Sequence, residues 1–330
     1  MLLGSRLDAC LAEDAAAVGA PAARILAAVA AAAAAIAATI ARDGPDGGEA
    51  LAAAARRHLG AALRDAAVAA VAWRDREAPE PGAPGAPLAL ALTALEGADA
   101  LADNMPAGTI FALRPAAGPG PGAAFLAPGR VQVAAGFAAY GPRTLLALTG
   151  GAGVRIFALD PREDAFRLVR DGVRLPAESP RYAIDAAQGR HWEAPVRAFA
   201  EDCARGADGP RGRDFAHAWC GSLVAGAQRI LSRGGLHVCP ADARRGRAEG
   251  HVRLVHEAAP LALLMEAAGG AATDGRGTPV LDLSPAGLHG RTPFAFGSAG
   301  EVDCLAKYHD GRRHAAGRSP LFAPRGLLRA

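Results

Sequence analysis

The chain has little excess charge of either sign: 36 lysine and arginine residues against 33 aspartate and glutamate residues leave +3 at pH 7 over 330 residues. So small an imbalance gives no broad electrostatic reason to bind nucleic acid or a membrane surface. Arginine is nearly the only cation, which with abundant alanine and glycine reads as coding bias. Cysteine is sparse and unpaired, for Cys10, Cys203, Cys220, Cys239 and Cys304 are scattered and never form a CxxC motif. That pattern argues against a disulfide framework or a zinc site and suits a reducing compartment. One alanine-rich, uncharged run could be mistaken for a membrane span. The alanine-rich stretch Leu26 to Ile40 is too short and too weakly hydrophobic for a bilayer span and reads as a buried helix. No basic start followed by an apolar core and cleavage site is evident, so a cytoplasmic location is expected. No Ser/His/Asp or Cys/His arrangement suggests a side-chain nucleophile.

What is present is apolar residue, about half of the chain at 51%, enough for one large core or two joined ones. Helices are predicted over Pro21 to Ala41 and Glu49 to Asp65, the first ended by the turn residues 43–47. Strands follow at Val68 to Trp73, Leu88 to Leu92, Gly108 to Leu113, Val131 to Phe137, Thr144 to Leu148 and Val154 to Leu159, read as one antiparallel sheet. A second unit starts near Leu175. It has a strand at Tyr182 to Ile184, helices at Ala194 to Cys203 and Trp219 to Ser232, and strands at Leu236 to Val238 and His251 to His256. A helix at Pro260 to Ala268 precedes a last strand and helix over Phe294 to His309. This order indicates an α/β layered fold, with subdomains 1–175 and 176–330 and a poorly ordered tail from Gly311.

Specific segments carry more information than the element order. NMPAGTIF (Asn104 to Phe111), QVAAGFAAYGPRTLLALT (Gln132 to Thr149), YAID with GRHWEAPV (Tyr182 to Val196), GPRGRDF (Gly209 to Phe215), QRILSRGGLHVCPADARRG (Gln228 to Gly246), GHVRLVHEAAPLALLMEAAGGAATDG (Gly250 to Gly275) and LHGRTPFAFGS (Leu288 to Ser298) occur in order. Together they resemble the class 1 fructose-1,6-bisphosphatases over roughly Pro87 to His309. The resemblance implies a sugar-phosphatase fold of alternating helix and sheet layers, assembled as a homotetramer. It implies hydrolysis of the 1-phosphate of fructose 1,6-bisphosphate, with magnesium ions that neutralise the phosphate and activate water. Magnesium prefers hard oxygen ligands in octahedral geometry, so carboxylates are the expected ligands.

At those ligand positions the chain departs from the family. Where relatives read DPLDGSSNID, this chain reads TALEGADALA, which puts Thr93 and Glu96 at the two aspartates, Leu95 at the backbone-carbonyl ligand, and Ala98 and Asp99 at the serines that cradle phosphate. The paired glutamates of relatives correspond to Arg74 and Asp75, and an upstream aspartate falls on Leu51. Glu257 keeps the C-terminal metal-binding glutamate. By this resemblance the metal set is Asp75, Leu95, Glu96 and Glu257, with Arg74 and Thr93 non-ligating. The catalytic candidates are Glu257, Asp75 and Glu96. The sugar-phosphate contacts are Gly97, Ala98, Asp99, Asp185, His251 and Arg253, with Arg213 and Arg190 as further cations. Asp185, His251, Cys239, His256 and Ala218 replace the family's asparagine, lysine, two tyrosines and neighbour-donated arginine. Glu77, Asp99 and Asp103 are available as relocated acids. Period-two geometry of a strand over His251 to His256 would place His251, Arg253, Val255 and Glu257 on one face. Two readings follow: a phosphatase with impaired magnesium chemistry, or a non-catalytic paralogue acting as a binding or regulatory subunit.

Overall fold

Alanine loses no side-chain freedom in a helix, and the alanine-rich N-terminal segment forms α1 (Leu7–Val18), α2 (Ala20–Asp43) and α3 (Gly48–Leu63). The computed structural model describes residues 3–43, 48–118, 120–244 and 246–311. Most of the expected turn over 43–47 and all of the tail beyond Gly311 lie outside the described residues. By length and composition Ala20–Arg42 could cross a membrane, yet half of it is buried in the fold. Ala22, Ile25, Val29, Ala33 and Ile36, spaced three and four apart, are almost fully enclosed, which is the helical stripe expected of a core-facing helix.

Two main sheets follow. The first contains β1 (Ala70–Trp73), β2 (Glu80–Pro81), β3 (Leu88–Glu96), β4 (Ala107–Pro115), β5 (Ala134–Tyr140), β6 (Leu145–Thr149), β7 (Val154–Asp160) and β8 (Ala165–Val173), in the order β2-β1-β3-β4-β5-β6-β7-β8. It is not wholly antiparallel, because β1 runs parallel to β3. The chain from Trp73 loops out through β2 before returning to start β3 beside β1, and that crossover makes the pair parallel. Neither α1 nor β8 was among the expected elements.

Beyond it come β9 (Arg181–Ile184), α4 (Ala194–Ala204), β10 (Ala216–His217), α5 (Leu223–Arg233), β11 (Leu236–Cys239), β12 (Val252–Arg253), α6 (Ala259–Ala267), β13 (Ala271–Thr273), β14 (Arg291–Thr292), β15 (Phe294–Gly297) and α7 (Ala299–His309). The second sheet runs β10-β9-β11-β15-β13, and β12 pairs with β14 in a separate two-stranded ladder. Helices and sheets alternate. One core joins α1, α2 and α3 to the first sheet, a second encloses α5 and α6 between residues of both sheets, and a third sets α4 and α7 against the second sheet. Leu261, Ala262, Leu264 and Met265 of α6 are completely buried, as a helix covered on both sides must be.

The expected strand from His251 to His256 is corrected. It ends at Arg253, and Leu254–Ala258 form a π-helical turn leading into α6. Every residue from Leu254 to Ala259 is buried, His256 and Glu257 included, so from Leu254 on the chain is enclosed all round and two-fold alternation has no solvent side to select. Val255 and Glu257 therefore do not continue a strand face shared with His251 and Arg253.

Candidate functional site

A cleft of about 560 Å³ opens where the two sheets meet, lined by Gly48, Glu49, Ala52, Arg74, Leu95 to Asp99, Trp219, Gly221, Leu223, His237, Cys239, His251, Val252 and Glu257. Its floor is set by an irregularity in β3. The pairing of β3 with β4 shifts register between Thr93 and Glu96, a bulge of the kind that re-aims side chains at strand ends. Gly97 follows with φ of 74°, a left-handed conformation that favours glycine. The chain can thereby turn back into the short helix Ala98–Asp103.

Glu96 is buried beneath the start of α5. Its Oε2 accepts from the Ser222 hydroxyl at 2.7 Å and the Val224 amide at 3.3 Å, while Oε1 accepts from the Leu223 amide at 3.0 Å. Ser222 in turn caps α5 by accepting from the Ala225 amide at 3.2 Å. A helix start offers unsatisfied N–H groups and a partial positive charge, so this carboxylate acts as a second cap. Burial nonetheless raises its carboxyl above the ordinary 4.5, the donors from Leu223, Ser222 and Val224 opposing that rise. A carboxyl raised on folding stabilises fully below its unfolded value and loses that contribution as pH climbs through the folded value. Glu96→Gln is therefore expected to gain stability relative to the wild type as pH rises from 4.5 to neutrality. Urea titrations at both pH values test this, and a difference independent of pH would refute it.

Glu257 is likewise committed. Its Oε1 accepts from Arg74 Nε at 2.5 Å and its Oε2 from the Arg253 amide at 2.8 Å, with the glutamate side chain 3% exposed and the arginine 45%. Thr93 is buried and donates to the His256 carbonyl at 3.3 Å. Asp75 is half exposed and pairs with Arg56 outside the cleft lining. Glu77 and Asp103 are exposed and also lie outside that lining.

His237 lies between Trp219 and Phe296, with ring centroids 5.1 and 4.9 Å away. Burial first, then Arg229, drives it down to about 3, so it stays neutral near pH 7. Helix α5 approaches this ring so closely that a Cβ on Gly226 would sit 2.4 Å from His237 Nδ1. His251, at the cleft edge, is lowered to about 4 by burial and then by Arg247, and His256 to about 3 by burial and then His289.

Of the predicted site residues, the fold brings Leu95, Glu96, Gly97, Ala98, Asp99, His251 and Glu257 together around the cleft, with Arg74 among them. Arg253 borders it through its amide bond to Glu257. Asp185 precedes the turn Ala186–His191 outside the lining. Arg213 pairs with Glu178 and Glu301, and Arg190 donates to His191 at 2.9 Å. Sequence reasoning missed Glu49, Ala52 and Trp219. An ungapped count from the paired-glutamate position reaches Leu51, and Glu49 and Ala52 lie within two residues of it on the first turns of α3.

These donors do not suit a magnesium ion. Among the described residues no group of three or more His, Cys, Asp or Glu side chains is arranged to hold a metal. Both oxygens of Glu257 and both of Glu96 face protein donors, and Arg74 brings a fixed positive charge to Glu257.

The chain resembles known proteins along its length. Residues 77–171 match the fructose-1-6-bisphosphatase N-terminal domain and 175–310 its C-terminal domain. The "Fructose-1,6-bisphosphatase class 1" of Methylobacterium sp. (strain 4-46) is 58% identical over 331 residues, covering 100% of both chains. That of Methylorubrum populi is 45% identical over 98% of this chain and 94% of its own. The fold matches a crystal structure of Leishmania major fructose-1,6-bisphosphatase in holo form with a TM-score of 0.86, at 24% identity, covering 94% of this chain and 100% of that one. With both domain models matched in order and a relative this similar from end to end, the chain belongs to the class 1 fructose-1,6-bisphosphatase family.

Proposed function

We propose that the cleft receives a sugar bisphosphate, fructose 1,6-bisphosphate by family, and that its magnesium-dependent hydrolysis to fructose 6-phosphate and phosphate is impaired in this chain. The observation that carries this reading is Glu257, the family's ligand position, with Arg74 on one oxygen and the Arg253 amide on the other. Without a seated divalent ion, phosphate monoester hydrolysis loses the charge neutralisation and activated water on which it depends. Gly97, Ala98, Asp99 and His251 line the cleft and Arg253 borders it; they are the proposed substrate contacts. A cytoplasmic homotetramer completes the proposal.

A second reading, the family's full reaction, is favoured by the 58% identical full-length relative that bears the family name. Phosphate release from fructose 1,6-bisphosphate with magnesium or manganese separates the two. Turnover is expected at least ~100-fold below the ~10 s⁻¹ typical of enzymes. Turnover near that typical rate, abolished by Glu257→Gln, would sink the impaired reading. Undetectable turnover with calorimetric binding of the bisphosphate would identify a non-catalytic binding paralogue.

A further inference from the structure

Arg253 and Arg291 face each other directly across the β12–β14 ladder. Like charges in that position are destabilising. Among the described residues neither guanidinium makes a hydrogen bond or ion pair, and Arg253 is only partly exposed. Arg74, just after β1, is close enough to Arg253 to weigh on its charge, as is Arg291. One carboxylate joins two of these arginines: Glu257 accepts from Arg74 Nε and from the Arg253 amide. The terminal nitrogens of Arg74 remain without a partner among the described residues. The cleft's other acids, Glu49, Glu96 and Asp99, belong to α3, to the end of β3 and to the short helix after it, and Glu77 is the further carboxylate that bears on Arg253.

Arg74 thus lines the cleft beside the buried Glu257, and Arg253 and Arg291, paired across their ladder at its border, add two further guanidinium groups nearby. Planar guanidinium groups bind phosphate oxygens in pairs of parallel N–H bonds. We propose that Arg74, Arg253 and Arg291 together hold a phosphomonoester without a divalent cation, at the cleft edge beside His251. The proposal rests on the sugar-bisphosphate reading and deepens it: in this chain arginine supplies the positive charge that magnesium supplies in the family reaction. Arg291 lies outside the cleft lining and is added to the site by its register opposite Arg253.

Calorimetric titration of the full chain with fructose 1,6-bisphosphate, and separately with inorganic phosphate, tests this in buffer containing EDTA. Saturable binding by the wild type is expected. Arg291→Ala should weaken bisphosphate affinity at least tenfold, with Arg291→Lys recovering part of the loss. The thermal midpoint of unliganded Arg291→Ala should be unchanged or higher, since the facing charge is relieved. Unchanged affinity in Arg291→Ala, or wild-type binding that appears only when magnesium is added, would overturn the metal-free clamp and leave the sugar-bisphosphate reading standing. Failure to bind with or without magnesium would overturn both.

Discussion

Arg74→Glu is expected to raise the affinity for magnesium or manganese at least tenfold over the wild type, read by calorimetric titration of the metal alone. At ~4 Å and an effective dielectric of ~20, two unit charges interact by about 4 kcal/mol. The substitution removes a repulsive charge and adds an attractive one next to Glu257, whereas a tenfold change needs only about 1.4 kcal/mol. Stability gives a second readout. Without Arg74, the buried Glu257 stands beside a new carboxylate, so the metal-free variant should unfold at a lower temperature than the wild type and recover on adding magnesium. Arg74→Ala should bind metal with intermediate affinity. Equal affinities in all three proteins would show that Arg74 is not what bars the ion.

The largest stability loss is expected from Glu301→Ala. Glu301 lies in the first turn of α7 and is 1% exposed; it accepts from Arg211 Nη2 at 2.6 Å and pairs with Arg213. The Arg211 side chain is itself 3% exposed, stacked over Phe199 and Phe215 at 5.2 and 4.7 Å from the ring centroids. Removing one member of a buried pair leaves the other charge uncompensated, at a cost of roughly 3–5 kcal/mol. Denaturant unfolding measures it, and a loss under ~1 kcal/mol would mean that water or movement of Arg211 takes up the charge. The same pairing explains why Arg213, a cation that the sequence offers for phosphate, is not free to bind one.

Much of the architecture is legible in the residues. Alanine-rich helices, alternating strands and the segments from NMPAGTIF to LHGRTPFAFGS point to the layered fold, because local propensity and family pattern agree there. The strand predicted over His251 to His256 fails for a physical reason. A segment buried on every side shows no alternation, and two-fold and helical periods cannot be distinguished in it. The parallel pairing of β1 with β3 depends on where the chain returns after β2.

The site divides in the same way. Arg74, Thr93 and Leu51 are visible in the sequence as residue types other than carboxylates, at positions that the resemblance assigns to metal ligands. The partners of Glu96 and Glu257 are visible in the fold alone. Whether Glu96 and Glu257 are available to a ligand depends on the donors that packing brings to them: the N-terminus of α5 for Glu96, and Arg74 from 183 residues away for Glu257. The facing of Arg253 and Arg291 is likewise a matter of register. Charge is a property of each residue, but its partner is set by the fold.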